Sequence, residues 1–450
     1  MADHEKPVAR GEAAPQALLS VPDGIFLMVG MVIGVGIFKA PSVVAGNTSG
    51  PAMFLGAWLL GGLVSLCGAL VYAELASRHP ETGGEYTFLT RGLHPAVGFV
   101  FAWSRMTVIQ TGAIAAVAFV FGEYANGMLD LGPKGVLVYA ALSVVALTLL
   151  NLAGTMQTKI LQKVMEITLI AGLLVLAAAG MVAGGTPKPA AGGEGGDFLF
   201  AMMFVFFTFG GWNEAAYMAG EVKDPRKNMT TILVWGIVAV TALYLFVNLG
   251  YLVALGQGGV AGSKAVGADV MRLVAGDKGA VLLSLIVCVS ALTTINAAIF
   301  TGARTNYAMG RDFALFRRLG AWRASGSTPA NSLLLQGGVT VVLIGAAGLW
   351  TKDGFDAMVA YTAPVFWTFF LLTGVALFLH RLRGDEKPAF RVPLYPVVPL
   401  VFCAMCGFML WKALAYVFNP VYGPKFGNLV LAGLVVMLAG IPLYFAARRR

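Results

Sequence analysis

Charge is scarce in this sequence. Of 450 residues only 12% are Asp, Glu, Lys or Arg, against roughly 25% in a typical soluble domain. That leaves too little polar surface to face water, and it excludes a soluble enzyme and a disordered chain. Cysteine is scarce as well. Cys67, Cys288, Cys403 and Cys406 all sit in apolar stretches, and the Cys403–Cys406 pair has no flanking ligands, so a disulfide scaffold, a redox motif and a metal site are not expected. No His, Asp or Cys cluster lies at membrane depth to serve an enzyme, and no Walker lysine motif suggests a primary pump. The first 20 residues are polar and Ala/Pro-rich with no apolar h-region, so no signal peptide is expected and the first span must direct insertion.

Long apolar runs are what the sequence has instead. Apolar residues make up 58% of the chain, the mean hydropathy is +0.79, and the 57 glycines suit helices that pack closely or break. A span needs about 20 apolar residues. Windows of that size give twelve candidates, beginning near Pro22, Pro51, Ala96, Pro133, Thr158, Phe198, Thr230, Gly279, Asn331, Phe355, Tyr395 and Gly427. The expected fold is all-α and polytopic. Lys and Arg divide as 21 on the face that holds the termini and 8 on the other, which predicts cytoplasmic termini and a plasma (inner) membrane protein. The net charge of +9 would suggest nucleic acid in a soluble protein; here it is an orientation signal on one face, called the basic face below.

The loops between spans are short. The longest on the other face, Val182 to Asp197 and Ala254 to Lys278, read as lids or linkers, so function has to lie within the bundle. Two spans look broken. The first carries Ile33-Gly34-Val35-Gly36-Ile37, with Pro41 suited to the first turn of a restarted helix. The sixth carries Phe207-Thr208-Phe209-Gly210-Gly211. Five spans separate them, so they sit on helices running in opposite directions. Gly-interrupted spans at corresponding positions of two halves point to a transporter binding site; small residues also serve plain helix packing. A half-helix N-terminus offers N–H groups to an anion and unwound carbonyls receive a cation, together a site for a zwitterion.

The residues at and around these breaks resemble a known family. Gly34-Val35-Gly36-Ile37-Phe38, Gly68 to Leu75, Thr82-Gly83-Gly84-Glu85-Tyr86, Phe207 to Asn213, Glu221 to Asn228, Thr301 to Arg304 and Phe390 to Pro396 follow, in order, the pattern of the amino acid–polyamine–organocation superfamily, closest to its L-type amino-acid transporter branch. The resemblance implies twelve transmembrane helices with discontinuous helices 1 and 6. They would form a five-plus-five inverted repeat (21–184 and 198–383) with an N-terminal tail (1–20), a linker (185–197) and two extra C-terminal helices (384–450). It implies alternating access without hydrolysis, as a proton symporter or an amino-acid exchanger. The substrate carboxylate would meet N–H groups of Val35, Gly36 and Ile37, and the ammonium would meet carbonyls of Ile33 and Phe207 to Phe209. Phe207 would be the aromatic gate, or an ordinary core aromatic. In this branch the fifth span commonly carries a lysine seven residues after a glutamine; aligned on Gln162, that position is Leu169, and Glu166 lies in between. Members linked to a heavy chain carry a cysteine after the third span, and Glu123 to Lys134 has none, so no disulfide-linked partner is expected.

Four ionisable residues fall within spans: Lys39, Arg105, Glu166 and Glu214. Charges at membrane depth face the bundle interior or water. The expectation is that Arg105 pairs with one carboxylate and the other couples transport to protons; a static ion pair is the alternative. Lys39 either contacts an anionic group or leans outwards. Thr293 and Thr294 either ligate sodium or bond their own helix. His79, His94 and His380 read as solvated span ends, while Glu74, Arg78, Glu85, Arg91 and the Glu221–Lys227 segment read as a charge network or a solvated loop. A polyamine or organic cation is the alternative substrate, with Glu214 as its partner. A channel would need a continuous polar lining, and a transporter-like sensor a long tail.

Overall fold

The computed structural model describes residues 19–80, 83–183, 197–263, 265–351, 353–384, 388–418 and 423–448. The N-terminal tail before Leu19, Thr82 and most of the expected linker lie outside them. All the long elements are helices: α1 (Val21–Val32), α2 (Gly36–Gly46), α3 (Pro51–Arg78), α4 (Glu85–Gly92), α5 (Pro95–Ser104), α6 (Gln110–Met128), α7 (Gly135–Ala153), α8 (Thr155–Val182), α9 (Phe198–Thr208), α10 (Pro225–Gly262), α11 (Val266–Asp312), α12 (Ala330–Trp350), α13 (Gly354–Arg383), α14 (Val397–Ala415) and α15 (Gly423–Arg448). A π-helical turn, Arg105–Ile109, joins α5 to α6, and a 3₁₀ segment, Trp212–Glu221, continues the span that α9 begins. Among the described residues eleven helices are long and apolar enough to cross a membrane, and twelve spans result when the bent pair α1 and α2 counts as one. Leu142, Leu149 and Val342 point outward, as side chains in contact with lipid do.

Local chemistry sets the ends of these helices. Ser20 and Asp23 form a capping box that opens α1, the Ser20 hydroxyl accepting from the Asp23 N–H at 3.4 Å and the Asp23 carboxylate from the Ser20 N–H at 3.3 Å. Prolines start α3 and α10, where their missing N–H is not needed. Between α1 and α2 the axis bends by 55°. Pro41 does not open the restarted helix: α2 begins at Gly36 and Pro41 lies inside it, leaving the Ile37 carbonyl without the N–H it would otherwise meet. The expected loop from Ala254 to Lys278 is another correction. It is mostly helical, with α10 bending at Gly256 (φ 67°) and α11 at Gly276 (φ 58°), both in the left-handed region that glycine tolerates.

The inner spans pack around the two breaks. α3, α8, α1 and α2 lie against α10, while α6 and α8 lie against α11. Two aromatic groups brace them: Trp58 with Phe209 and Tyr244, and Tyr72 with Trp212, Phe370 and Phe402. All seven are buried. Helices α14 and α15 pack on α13 at the side.

Candidate functional site

The two breaks meet at one cavity of about 240 Å³. Gly34, Val35 and Gly36 line it from the first span, and Phe207, Thr208, Gly210 and Gly211 from the sixth. Close approach demands the glycines. A Cβ at Gly36 would sit 2.8 Å from Thr208 Oγ1 and 3.1 Å from Thr208 Cα; one at Gly211 (φ 106°) would collide with the Met31 carbonyl. Starting α2 at Gly36 leaves the N–H groups of Gly36 and Ile37 without intrahelical partners. Ile33, Ile37 and Phe209, also expected at the site, are buried and do not line the cavity.

Tyr244 of α10 holds the breaks together. Its buried hydroxyl lies 3.0 Å from the Val32 carbonyl and 3.1 Å from the Thr208 carbonyl, the last residues of α1 and α9. With a single proton it donates to one of these carbonyls at a time, and the Val32 carbonyl also accepts from the Gly34 N–H at 2.8 Å. A tyrosine in an apolar span gives no sign of this role, because the partners are 36 and 212 residues away.

The walls are mostly apolar, with Ile109, Val117, Phe366 and Trp367 among them, and Gln110, Asn213, Thr294 and Thr362 add polar groups. Phe207 is 45% exposed and stands edge-on to Phe355 of α13, with ring centroids 6.2 Å apart. Lys39 leans outwards, 3.5 Å from Glu123 and 5.0 Å from the Phe355 ring centre. Thr293 and Thr294 bond the Val289 and Ser290 carbonyls of their own helix, at 2.7 and 3.1 Å.

Charged groups seal the floor toward the basic face. Arg105, carried on the π turn, donates to both Glu214 oxygens at 2.9 and 2.7 Å, and Thr301 donates to Glu214 as well. Beneath them Glu85 is fully enclosed and accepts from Tyr72, Tyr217 and Asn213. Burial pushes the Glu85 carboxyl up from its ordinary range, and the Arg105 charge and the two tyrosine hydroxyls oppose that. Arg304 pairs with Glu221, and Glu74 accepts from Arg78, Arg381 and the Val392 N–H. Glu74, Arg78, Glu85 and Glu221 of the charge network are therefore buried, while Arg91, Lys223, Asp224, Arg226 and Lys227 are exposed, as the solvated-loop reading has it. His380 is a correction too: it is buried, 4.9 Å from His79 between ring centroids, because α13 continues past the apolar run and packs on α4.

Arg105 does not reach Glu166. That carboxylate is buried on α8 and accepts one hydrogen bond, from Gln162 Nε2 at 2.8 Å; its other oxygen has no hydrogen-bond partner among the described residues. Gln162 accepts from Asn296 at 2.7 Å, and Asn296 from Asn151 at 2.8 Å. This chain of amides links α7, α11 and α8. Glu166 also presses on Gly30 of α1, where any Cβ would strike the carboxyl. Asn296 and Asn151 could have been suspected from sequence, since amides in apolar spans need partners.

Comparison with known proteins gives a consistent picture. A family model described as "Amino acid permease" matches residues 19–443. The chain is 26% identical over 434 residues to the Serine/threonine exchanger SteT of Bacillus subtilis (strain 168), covering 94% of this chain and 95% of that protein. It is 26% identical to the human b(0,+)-type amino acid transporter 1, covering 88% and 82% of the two chains, and 24% identical to the human Cystine/glutamate transporter, covering 94% and 83%.

Proposed function

Since this chain belongs to the amino acid permease family, a family of transporters and not of enzymes, we propose that it moves amino acids by alternating access, with the substrate held between the two helix breaks. One observation carries the reading: the glycine interruptions of the first and sixth spans line a single cavity. The substrate carboxylate meets N–H groups of Val35, Gly36 and Ile37, at the positive end of α2. Its ammonium meets carbonyls around Ile33 and Phe207 to Phe209. Phe207 closes over it as the gate. The two halves, 21–184 and 198–383, move against each other as inverted repeats, with 384–450 as an appended pair. The basic face is cytoplasmic, in the plasma membrane, and no disulfide-linked heavy chain is needed.

Glu166 is the coupling residue in this proposal, and the mode is proton symport. With one neutral donor and no ion-pair partner among the described residues, Glu166 can take or lose a proton without breaking an ion pair, and its contact with Gly30 ties it to the span that must move. Arg105 and Glu214 form a separate, fixed pair. The polyamine alternative is less well supported, because Arg105 already matches the one carboxylate in the cavity lining.

Counterflow in proteoliposomes tests the reading. Vesicles preloaded with a mixture of neutral amino acids should accumulate labelled alanine, serine or leucine, and addition of an inward proton gradient should raise net uptake into empty vesicles. Accumulation of none of them would defeat the proposal; counterflow with no gradient effect would replace symport by exchange.

A further inference from the structure

The charge at the cavity floor bears on which amino acids enter, given the reading that the breaks hold an amino acid. Among the described residues lining the cavity, Glu214 is the one that carries a charge; everything else is main chain, apolar or neutral. The pair is asymmetric. The Glu214 side chain is 14% exposed and Arg105 is 1% exposed, so the carboxylate faces the cavity and the guanidinium lies behind it, 3.9 Å from the centre of the Tyr217 ring. A substrate therefore meets the negative end of the pair.

The next layer does not reverse that sign. Glu85 lies beneath, held by Tyr72, Tyr217 and Asn213. Ionised, it gives two carboxylates against one guanidinium. Protonated, it leaves one against one. Neither state presents net positive charge to the cavity. Lys39 is not part of the lining and faces Glu123. Apolar walls such as Ile109, Val117 and Phe366 keep the local dielectric low, so the field of the nearer carboxylate is little screened.

We infer that the Arg105–Glu214 pair is a charge filter, with Glu214 as the specificity-determining residue: it rejects amino acids whose side chain ends in a carboxylate and admits neutral ones. A cationic side chain is disfavoured for a different reason. Both Glu214 oxygens already accept from Arg105, so a second cation would have to displace a buried guanidinium and leave it without its counter-ion.

Two near-isosteric pairs isolate charge from shape: glutamate against glutamine, and aspartate against asparagine. Each competes with a labelled neutral amino acid in counterflow at pH 7. The amide of at least one pair should compete at a concentration about tenfold or more below its acid, the scale of a like-charge contact. In the double variant Arg105→Gln/Glu214→Gln, which keeps hydrogen-bonding amides and orphans no charge, that ratio should fall to about threefold or less. Equal competition by acid and amide in the wild type, or no competition by any of the four, overturns the filter, as does a double variant with the wild-type ratio. If the double variant does not fold, the wild-type ratio decides alone. Failure of the amino-acid reading looks different: no neutral amino acid supports counterflow at all, and the filter falls with it.

Discussion

Glu214 and Glu166 are carboxylates set into the same apolar bundle, and their surroundings differ in kind. Glu214 has a guanidinium on both oxygens and a hydroxyl besides. Glu166 has one amide and a bare oxygen. A desolvated charge costs several kcal/mol unless it is paired, so the first environment holds a charge in place, and the second suits a group whose charge comes and goes. In the proposed mechanism identical chemistry serves two purposes: a permanent field at the floor, and a removable one beside a helix that moves.

Removing the partners should expose this contrast. Arg105→Ala leaves Glu214 buried without its cation and should destabilise the protein by about 3–5 kcal/mol, read as a large fall in unfolding temperature in detergent. A small fall would mean that Glu214 is not held as a charge. Tyr244→Phe tests the frame between the two carboxylates. Loss of the one hydrogen bond that this buried hydroxyl donates between two carbonyls should cost about 1–2 kcal/mol, and amino-acid affinity should weaken with it. Stability loss without an affinity change would separate Tyr244 from the site. Glu166→Gln should move stability by less than about 1 kcal/mol, because an amide can accept the same Gln162 bond, yet it should abolish any stimulation of uptake by a proton gradient. Retained stimulation would return Glu166 to a structural role. Smallest of all, Lys39→Ala removes a half-exposed pair with Glu123, and unfolding should shift by no more than about 0.5 kcal/mol.

Both breaks and the twelve spans were readable before any coordinates, since hydropathy over a long window and glycine in mid-span are strong local signals. What escaped depends on partners distant in the chain. The bends at Gly256 and Gly276 sit in segments too short to span, so their composition resembles a loop, although the backbone is helical on either side. His380 follows an apolar run and looks like a solvated end, but α4 covers it. That Arg105 would choose a carboxylate was foreseeable; that it would choose Glu214 was not, because 109 residues separate them and only the packing of α11 beside the π turn brings Thr301 to the same oxygen.

The 55° bend between α1 and α2 has a consequence for change over time. In the proposed reading it turns main-chain groups into the recognition surface, and every sequence has main-chain groups. Substitutions in the walls can alter which side chains are welcome without removing what grips the part common to all amino acids. On that reading recognition and selectivity occupy separate atoms, and wall residues such as Phe207 can change while the grip persists, whereas Glu214 can change only together with Arg105.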